Sequence, residues 1–394
     1  MNPFKELFLL DPEVVFLNHG SFGACPRLVF ETYQRWQARL ERQPVEFLGR
    51  SAETLLAEAR LPLADFLRVH PDELVYFPNP TTALNMVARN LTRSPSSVLP
   101  GSDQPFILRP GDEVLSTNHE YGALSRTWRY ICKLTGASYA EAPVPLPLES
   151  RSSFVERFWS RISERTRVIF LSHITSPTAL VFPVAEICRR ARLAGILTII
   201  DGAHAPGQLA LDLHAMGADI YAGACHKWLC APKGAAFLYV RREFSASLDP
   251  LVVSWGYESE HPSGSRFIDY HEWQGTRDLA SFLSVPAAIQ FQAEHHWEQV
   301  RAACHILAVT NRREIEAITG LASICREEDF VQMFAVRLPD RIDPVDFKKQ
   351  LYENHHIEAP VIVWNGQKFL RVSYQAYNDE QDAGRLIEAL KDLI

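Results

Sequence analysis

The octamer GACHKWLC at residues 223–230 sets Lys227 between His226 and Trp228. A lysine in such company has two uses. Its aliphatic stem can lie over the indole with the ammonium in water. Alternatively the amine is buried, and desolvation then favours its neutral, nucleophilic form. Asp201 stands upstream, where the apolar run ILTII (196–200) stops, and His204 follows it. Alone, an aspartate before Gly202 also fits an ordinary turn. Taken together, Lys227 and Asp201 match the needs of one cofactor, pyridoxal phosphate. A lysine forms a Schiff base with its aldehyde, and an aspartate keeps its ring nitrogen protonated so that the ring acts as an electron sink.

A phosphate group asks for donors and a positive field. NPTTALN (79–85) places Thr81 and Thr82 at a helix start, where free N–H groups and hydroxyls bind anions. The same residues also suit a plain helix cap. His226 is a second candidate donor to the phosphate. For a partner on the ring face, Tyr121 in NHEYGAL is favoured over His119.

The elements that must position these residues alternate along the chain. DELVYFPN (72–79), DEVLST (112–117), RVIFLSHI (167–174), ILTIIDGAH (196–204), ADIYAGACH (218–226) and GAAFLYVRR (234–242) read as strands. Helices are expected from the threonine pair, from about Tyr121, and over PVAEICRRARLAG, which ends at Gly195. Such alternation predicts an α/β fold with a largely parallel sheet covered by helices, whose ligands sit at the carboxyl ends of its strands. SPSSVLPGSDQP (94–105) and APVPLPLES (142–150) read as loops. From about residue 290 the pattern changes to a long helix (285–318), then FVQMFAVRL, VDFKKQLYENHH, FLRVSYQAY and a closing helix. The expected domains are a large cofactor-binding domain (31–285) and a smaller α+β C-terminal domain (286–394), with an N-terminal segment (1–30) packed on the small one.

In order along nearly the whole chain, NPTTALN, NHEYGAL, DGAHAPGQ, GACHKW with PKGAAFLYV, WQGTRD and FLRVSYQAYN resemble the fold-type I pyridoxal phosphate enzymes of the class V aminotransferase superfamily. That superfamily includes cysteine desulfurases, kynureninases and isopenicillin N epimerases. The resemblance implies a mainly parallel, seven-stranded type of sheet. It also implies that Lys227 bonds the cofactor, Asp201 pairs with the pyridine nitrogen, His204 lies near the ring hydroxyl and Tyr121 stacks on the ring. Thr81, Thr82 and His226 would hold the phosphate, Thr276 would reach it from the neighbouring subunit of a homodimer, and Arg371 would clamp the substrate α-carboxylate.

The desulfurase branch carries a nucleophilic cysteine in a pattern resembling HHCAxP. Here the stretch is HHIEAP (355–360), with Ile357 at that place, and no cysteine follows Cys325. Persulfide chemistry on that loop is therefore not expected. FLNHGSFGACP (16–26), RQPVEFLGR (42–50) and GTRDLASFLSVPAAI (275–289) resemble the isopenicillin N epimerase-like branch, which also contains C–S lyases. By that resemblance Asn18, His19 and Arg50 are candidate contacts to the substrate side chain, although NHGSFG also fits a glycine-rich turn. The expected reaction begins with an external aldimine, from which the freed Lys227 amine takes the α-proton to give a quinonoid. β-Elimination from a cysteine-derived substrate is the favoured outcome; epimerisation and transamination are the alternatives. Lys227, Asp201 and Arg371 together argue against a non-enzymatic scaffold.

With 40 basic and 47 acidic residues in 394, the net charge of −7 points to no nucleic-acid or anionic-membrane partner. The N-terminus lacks the form of a signal peptide, and no apolar run is long enough to span a bilayer. Seven scattered cysteines with no Cys-x-x-Cys pair fit a cytoplasmic protein with packed thiols and no zinc site. The pairs His295/His296 and His355/His356 read as solvated surface histidines, since adjacent helical residues point apart.

Overall fold

In a computed structural model, residues 2–92 and 107–394 are described; the proline-rich loop expected at 94–105 lies outside them. A short strand β1 (Val15–Phe16) precedes β2 (Leu74–Phe77), β3 (Glu113–Thr117), β4 (Ser138–Ala142), β5 (Thr166–Ser172), β6 (Leu197–Gly202), β7 (Ile220–Ala224) and β8 (Ala236–Val240). β2 to β8 form one sheet in the order β2-β8-β7-β6-β5-β3-β4. Its pairings are parallel from β4 through β7, whereas β8 runs antiparallel to both β7 and β2. The six apolar runs of the sequence all form strands; β4, whose SYAEA is polar and partly exposed, has no apolar run to reveal it.

Both faces of the sheet are covered, which explains why its central strands are apolar throughout instead of alternating. Leu115, Ile169, Leu171 and Ile200 project into one core, and Val114, Val168, Phe170 and Ile199 into the other. Helices at Pro80–Asn90, Gly122–Thr135 and Val184–Leu193 follow β2, β3 and β5. Each begins at the carboxyl edge of the sheet, where a ligand would bind.

The C-terminal part contains β9 (Met333–Arg337), β10 (Ile357–Glu358), β11 (Val361–Trp364) and β12 (Gln367–Ser373), with β11-β12-β9 forming an antiparallel sheet. The helix expected over 285–318 is two helices, Val285–Glu294 and Trp297–Thr319. The break has a local cause. His295 Nδ1 bonds the carbonyl of Phe291 at 2.7 Å, and His296 takes a left-handed φ of 50°. The N-terminal segment is tied to the C-terminal part: Lys5 pairs with Asp379 and Asp382, and β1 pairs in parallel with β10, Val15 opposite Ile357. Ile357 is buried and its backbone paired, so the position that a desulfurase nucleophile would occupy is packed core.

Candidate active site

Asp201 ends β6 and Lys227 follows β7 by one turn, so adjacent parallel strands deliver both to the same edge. Asp201 is buried, and its Oδ1 accepts the N–H of Ala203 at 2.9 Å, leaving Oδ2 with no donor among the described residues. Burial pushes its carboxyl above the usual aspartate range, against the opposing pull of the Ala203 N–H and of Lys227. Lys227 Nζ lies 3.2 Å from His204 Nε2. Burial lowers the lysine to about 8; Asp201 opposes the shift and Arg371 adds to it. Its amine is therefore substantially neutral in mildly alkaline solution.

Arg371, on β12, is buried with no carboxylate beside it. One terminal nitrogen donates to the carbonyl of Ser176 at 2.6 Å and the other to Ser21 Oγ at 2.8 Å, while Nε has no partner. Desolvation brings this guanidinium down to about 10. A buried cation without a counter-ion is costly, and the missing anion is what a substrate carboxylate supplies. Ser21 and Ser176, which orient this arginine, carried no signal in the sequence.

The helix at Pro80–Asn90 is capped by Asn79, whose Oδ1 accepts from the Thr82 amide and hydroxyl at 2.8 and 3.0 Å. Asn79, not a threonine, thus caps the helix, and the Thr81 hydroxyl bonds to no group among the described residues. His226 Nδ1–H donates to the carbonyl of Ala235 at 2.7 Å, leaving Nε2 uncommitted. Tyr121 sits at the start of the helix Gly122–Thr135 and is 47% exposed. His119 is different. It is buried, bonded to Thr178 Oγ1 and to the carbonyl of Val144, and lies 4.1 Å from the Trp364 ring. Glu120 escaped sequence reading. It is buried beside Asp201, accepts from Thr117 Oγ1 and from Ser172 N and Oγ, and burial raises it to about 7.

His19 was expected to touch the substrate side chain. The structure corrects this: the ring is fully buried, Nε2 bonds the carbonyl of Lys227 at 3.1 Å, and Nδ1 accepts from Tyr377 Oη and from the amide of Ala24. Both nitrogens are consumed in roofing the lysine turn. Asn18 donates to Glu358 Oε1 at 3.0 Å, and its buried Oδ1 has no partner. Arg50 is solvent-exposed in the turn of helix before Ala52 and bonds to no member of the cluster. Thr276 is likewise exposed and shares no hydrogen bond with the residues expected to hold phosphate.

The glycines of NHGSFG let this segment lie directly on the lysine turn. A Cβ at Gly23 would stand 2.5 Å from the Lys227 carbonyl oxygen and 2.7 Å from its Cα. Gly23→Ala is expected to lower unfolding stability by about 1–3 kcal/mol in urea denaturation, because backbone cannot yield as a flexible side chain can.

These residues fit pyridoxal phosphate. Asp201 Oδ2 accepts from no described residue, Thr81 Oγ1 is uncommitted in the first turn of a helix, and Tyr121 is half exposed. A protonated ring nitrogen at Asp201 would also restore the positive partner that its burial lacks. Among the described residues, no three His, Cys, Asp or Glu side chains are grouped to hold a metal.

A family model described as Aminotransferase class-V matches residues 27–386. The chain is 37% identical to an isopenicillin N epimerase of Amycolatopsis lactamdurans, over 99% of this chain and 97% of the relative. It is 28% identical to an L-cysteine desulfhydrase of Arabidopsis thaliana, over 97% of this chain and 88% of that one. Among solved structures, the cysteine desulfurase CsdA from Escherichia coli matches with a TM-score of 0.80 at 21% identity, over 99% of this chain and 97% of that one, a likeness of fold.

Proposed function

The chain belongs to the class V aminotransferase family of pyridoxal phosphate enzymes, and from that premise we propose that it is a C–S lyase acting by β-elimination on a cysteine-derived amino acid. The bound cofactor supplies an electron sink that stabilises negative charge on the substrate α-carbon. The rest falls to the chain. Arg371 orients the carboxylate in the bidentate manner that a guanidinium favours. Lys227 takes the α-proton, and Asp201 holds the ring nitrogen protonated. Thr81, Thr82 and His226 are assigned to the phosphate, and Tyr121 to the ring face.

One observation carries the choice of elimination. Inversion at the α-carbon needs acid–base groups on both of its faces, whereas elimination needs one base there. Of the histidines at this edge, His19 and His119 have both ring nitrogens bonded within the chain and His204 is bonded to Trp228 and to Lys227 itself, so none of these three stands free as a second base beside Lys227. The similarity to isopenicillin N epimerase supports a second reading, epimerisation, with the Tyr121 hydroxyl as the second acid.

Pyruvate and ammonia released from S-substituted cysteines by the cofactor-loaded protein, with Lys227→Ala as blank, would establish elimination. No pyruvate, but deuterium at the α-carbon and appearance of the D-isomer in deuterated solvent, would replace it with epimerisation.

The reading includes a homodimer with Thr276 completing the partner's phosphate site. Its support is apolar surface that a single chain leaves open: Val253 is 70% exposed and Trp255 88% exposed on the segment before Thr276. Trp255→Glu is expected to weaken the dimer about 100-fold by light scattering across a dilution series, with a parallel drop in cofactor affinity. Cytoplasmic residence is part of the same reading, supported by the free state of every cysteine among the described residues. No described helix is long and apolar enough to cross a membrane.

A further inference from the structure

We propose that Trp228 is a positioning residue that locks His204 in one tautomer and thereby holds Lys227 as a neutral amine ready to take up an aldehyde. The inference rests on Lys227 being the cofactor lysine; it is independent of whether elimination or epimerisation follows.

The indole Nε1–H of Trp228 points at His204 Nδ1, 3.3 Å away. An indole nitrogen can only donate, so Nδ1 must present a lone pair, and the single ring proton of a neutral histidine is then on Nε2. Nε2 in turn faces Lys227 Nζ at 3.2 Å. An ammonium has three donors and no acceptor. Set against an N–H it would form no hydrogen bond and would repel it. The contact is satisfied only when Lys227 is an amine that accepts the Nε2 proton. That same lone pair does the chemistry of uptake: Nζ bonds the carbonyl carbon, and the carbonyl oxygen leaves as water with the two amine protons.

The indole has no room to turn away. Trp228 is fully buried, its ring lies 4.9 Å from that of His19, and its carbonyl accepts from Gln292 Nε2 at 2.8 Å. Gly207, at φ 92°, lies so close that a Cβ there would stand 2.1 Å from the Trp228 carbonyl oxygen. The charged groups around Lys227 pull in opposite directions, Asp201 toward the ammonium and Arg371 toward the amine. Those facing His204 are Lys227, Arg371 and His19, and each disfavours a charged imidazole. The indole therefore selects between two neutral tautomers, and only one of them suits a nucleophilic lysine.

Two measurements test this. The first needs no variant: nitrogen-15 NMR of histidine-labelled apo-protein, with His204 assigned by difference from His204→Gln. A protonated Nε2 and bare Nδ1 are expected; a proton on Nδ1 would overturn the proposal. The second follows the pH dependence of cofactor capture by apo-protein, read as growth of the visible absorption band. In Trp228→Phe an aromatic ring is kept and the donor lost, so His204 can turn its lone pair toward an ammonium. The midpoint is expected to rise by about one pH unit, equivalent to about tenfold slower capture below it. An unchanged midpoint would sink the idea. If Lys227 were not the cofactor lysine, Lys227→Ala would develop the same band as wild type, a different failure from either of these.

Discussion

Lys227→Ala is expected to fold, to develop no lysine-bound absorption band with pyridoxal phosphate, and to release pyruvate about 10⁴-fold more slowly than wild type or slower. Two functions vanish with one amine, the anchor of the cofactor and the base at the α-carbon. The loss should be in the chemical step. Substrate and product assays at saturating cofactor read it, and added alkylamine should restore part of the rate by replacing the base alone. Stability should move the opposite way. A lysine in the unfolded chain keeps its proton until its ordinary value of 10.5, whereas in the folded apo-protein it gives it up near 8. Between these values the unfolded state holds more protons, so wild-type stability rises with pH across that window. Below it the desolvation penalty is fully present. The alanine variant is therefore expected to be more stable than wild-type apo-protein at neutral pH, with the gap closing as pH rises through the window. Urea midpoints for both proteins at several pH values would check the sign; a gap that widened with pH would contradict the burial of this amine.

Arg371→Leu is the second large effect, and its signature is again a split between function and stability. The residue is 4% exposed, and among the described residues its guanidinium bonds only two serines and no carboxylate. Replacing an uncompensated buried charge by an apolar side chain of similar reach generally stabilises, by about 1–4 kcal/mol where measured. A higher melting temperature is thus expected for the variant in the absence of substrate. Activity should fall about 10³-fold in kcat/KM, corresponding to the roughly 3–5 kcal/mol lost when one side of a buried charge pair is removed. An amine substrate with no carboxylate discriminates the cause, because its slow turnover should not change. Equal losses on both substrates would show that Arg371 supports the fold of the site and does not bind the carboxylate.

The strands that matter were legible because buried parallel strands are apolar on both faces, so RVIFLSHI and ILTIIDGAH stand out without periodicity. The strand-end placement of Asp201 and Lys227 was legible for a related reason: charged residues at the ends of such runs have few structural excuses. What the sequence hid was tertiary. His19 and His119 have the residue type of acids and bases, but burial and backbone carbonyls consume their nitrogens. Ser21 and Ser176 become partners of Arg371 only once distant segments meet, at separations of 350 and 195 residues. The break at His296 was hidden because nothing in EHHW is a helix breaker; a side chain that captures its own helix carbonyl made the stop. In sequence Trp228 offers a rest for the lysine stem, whereas in the fold its indole nitrogen addresses His204.

The pairing of Val15 with Ile357 has a consequence in time. A ribosome adding about 5–20 residues per second reaches Ile357 roughly 20–70 seconds after Val15. For all of that interval the N-terminal segment has no strand to join, although β2 to β8 are already made and can pair. The turn bearing Lys227 is thus synthesised, and its sheet can assemble, before the roof that His19 and Gly23 place over it can be fastened. A nascent chain passes through a stage at which the lysine's surroundings are open from above, and the last quarter of the protein closes them.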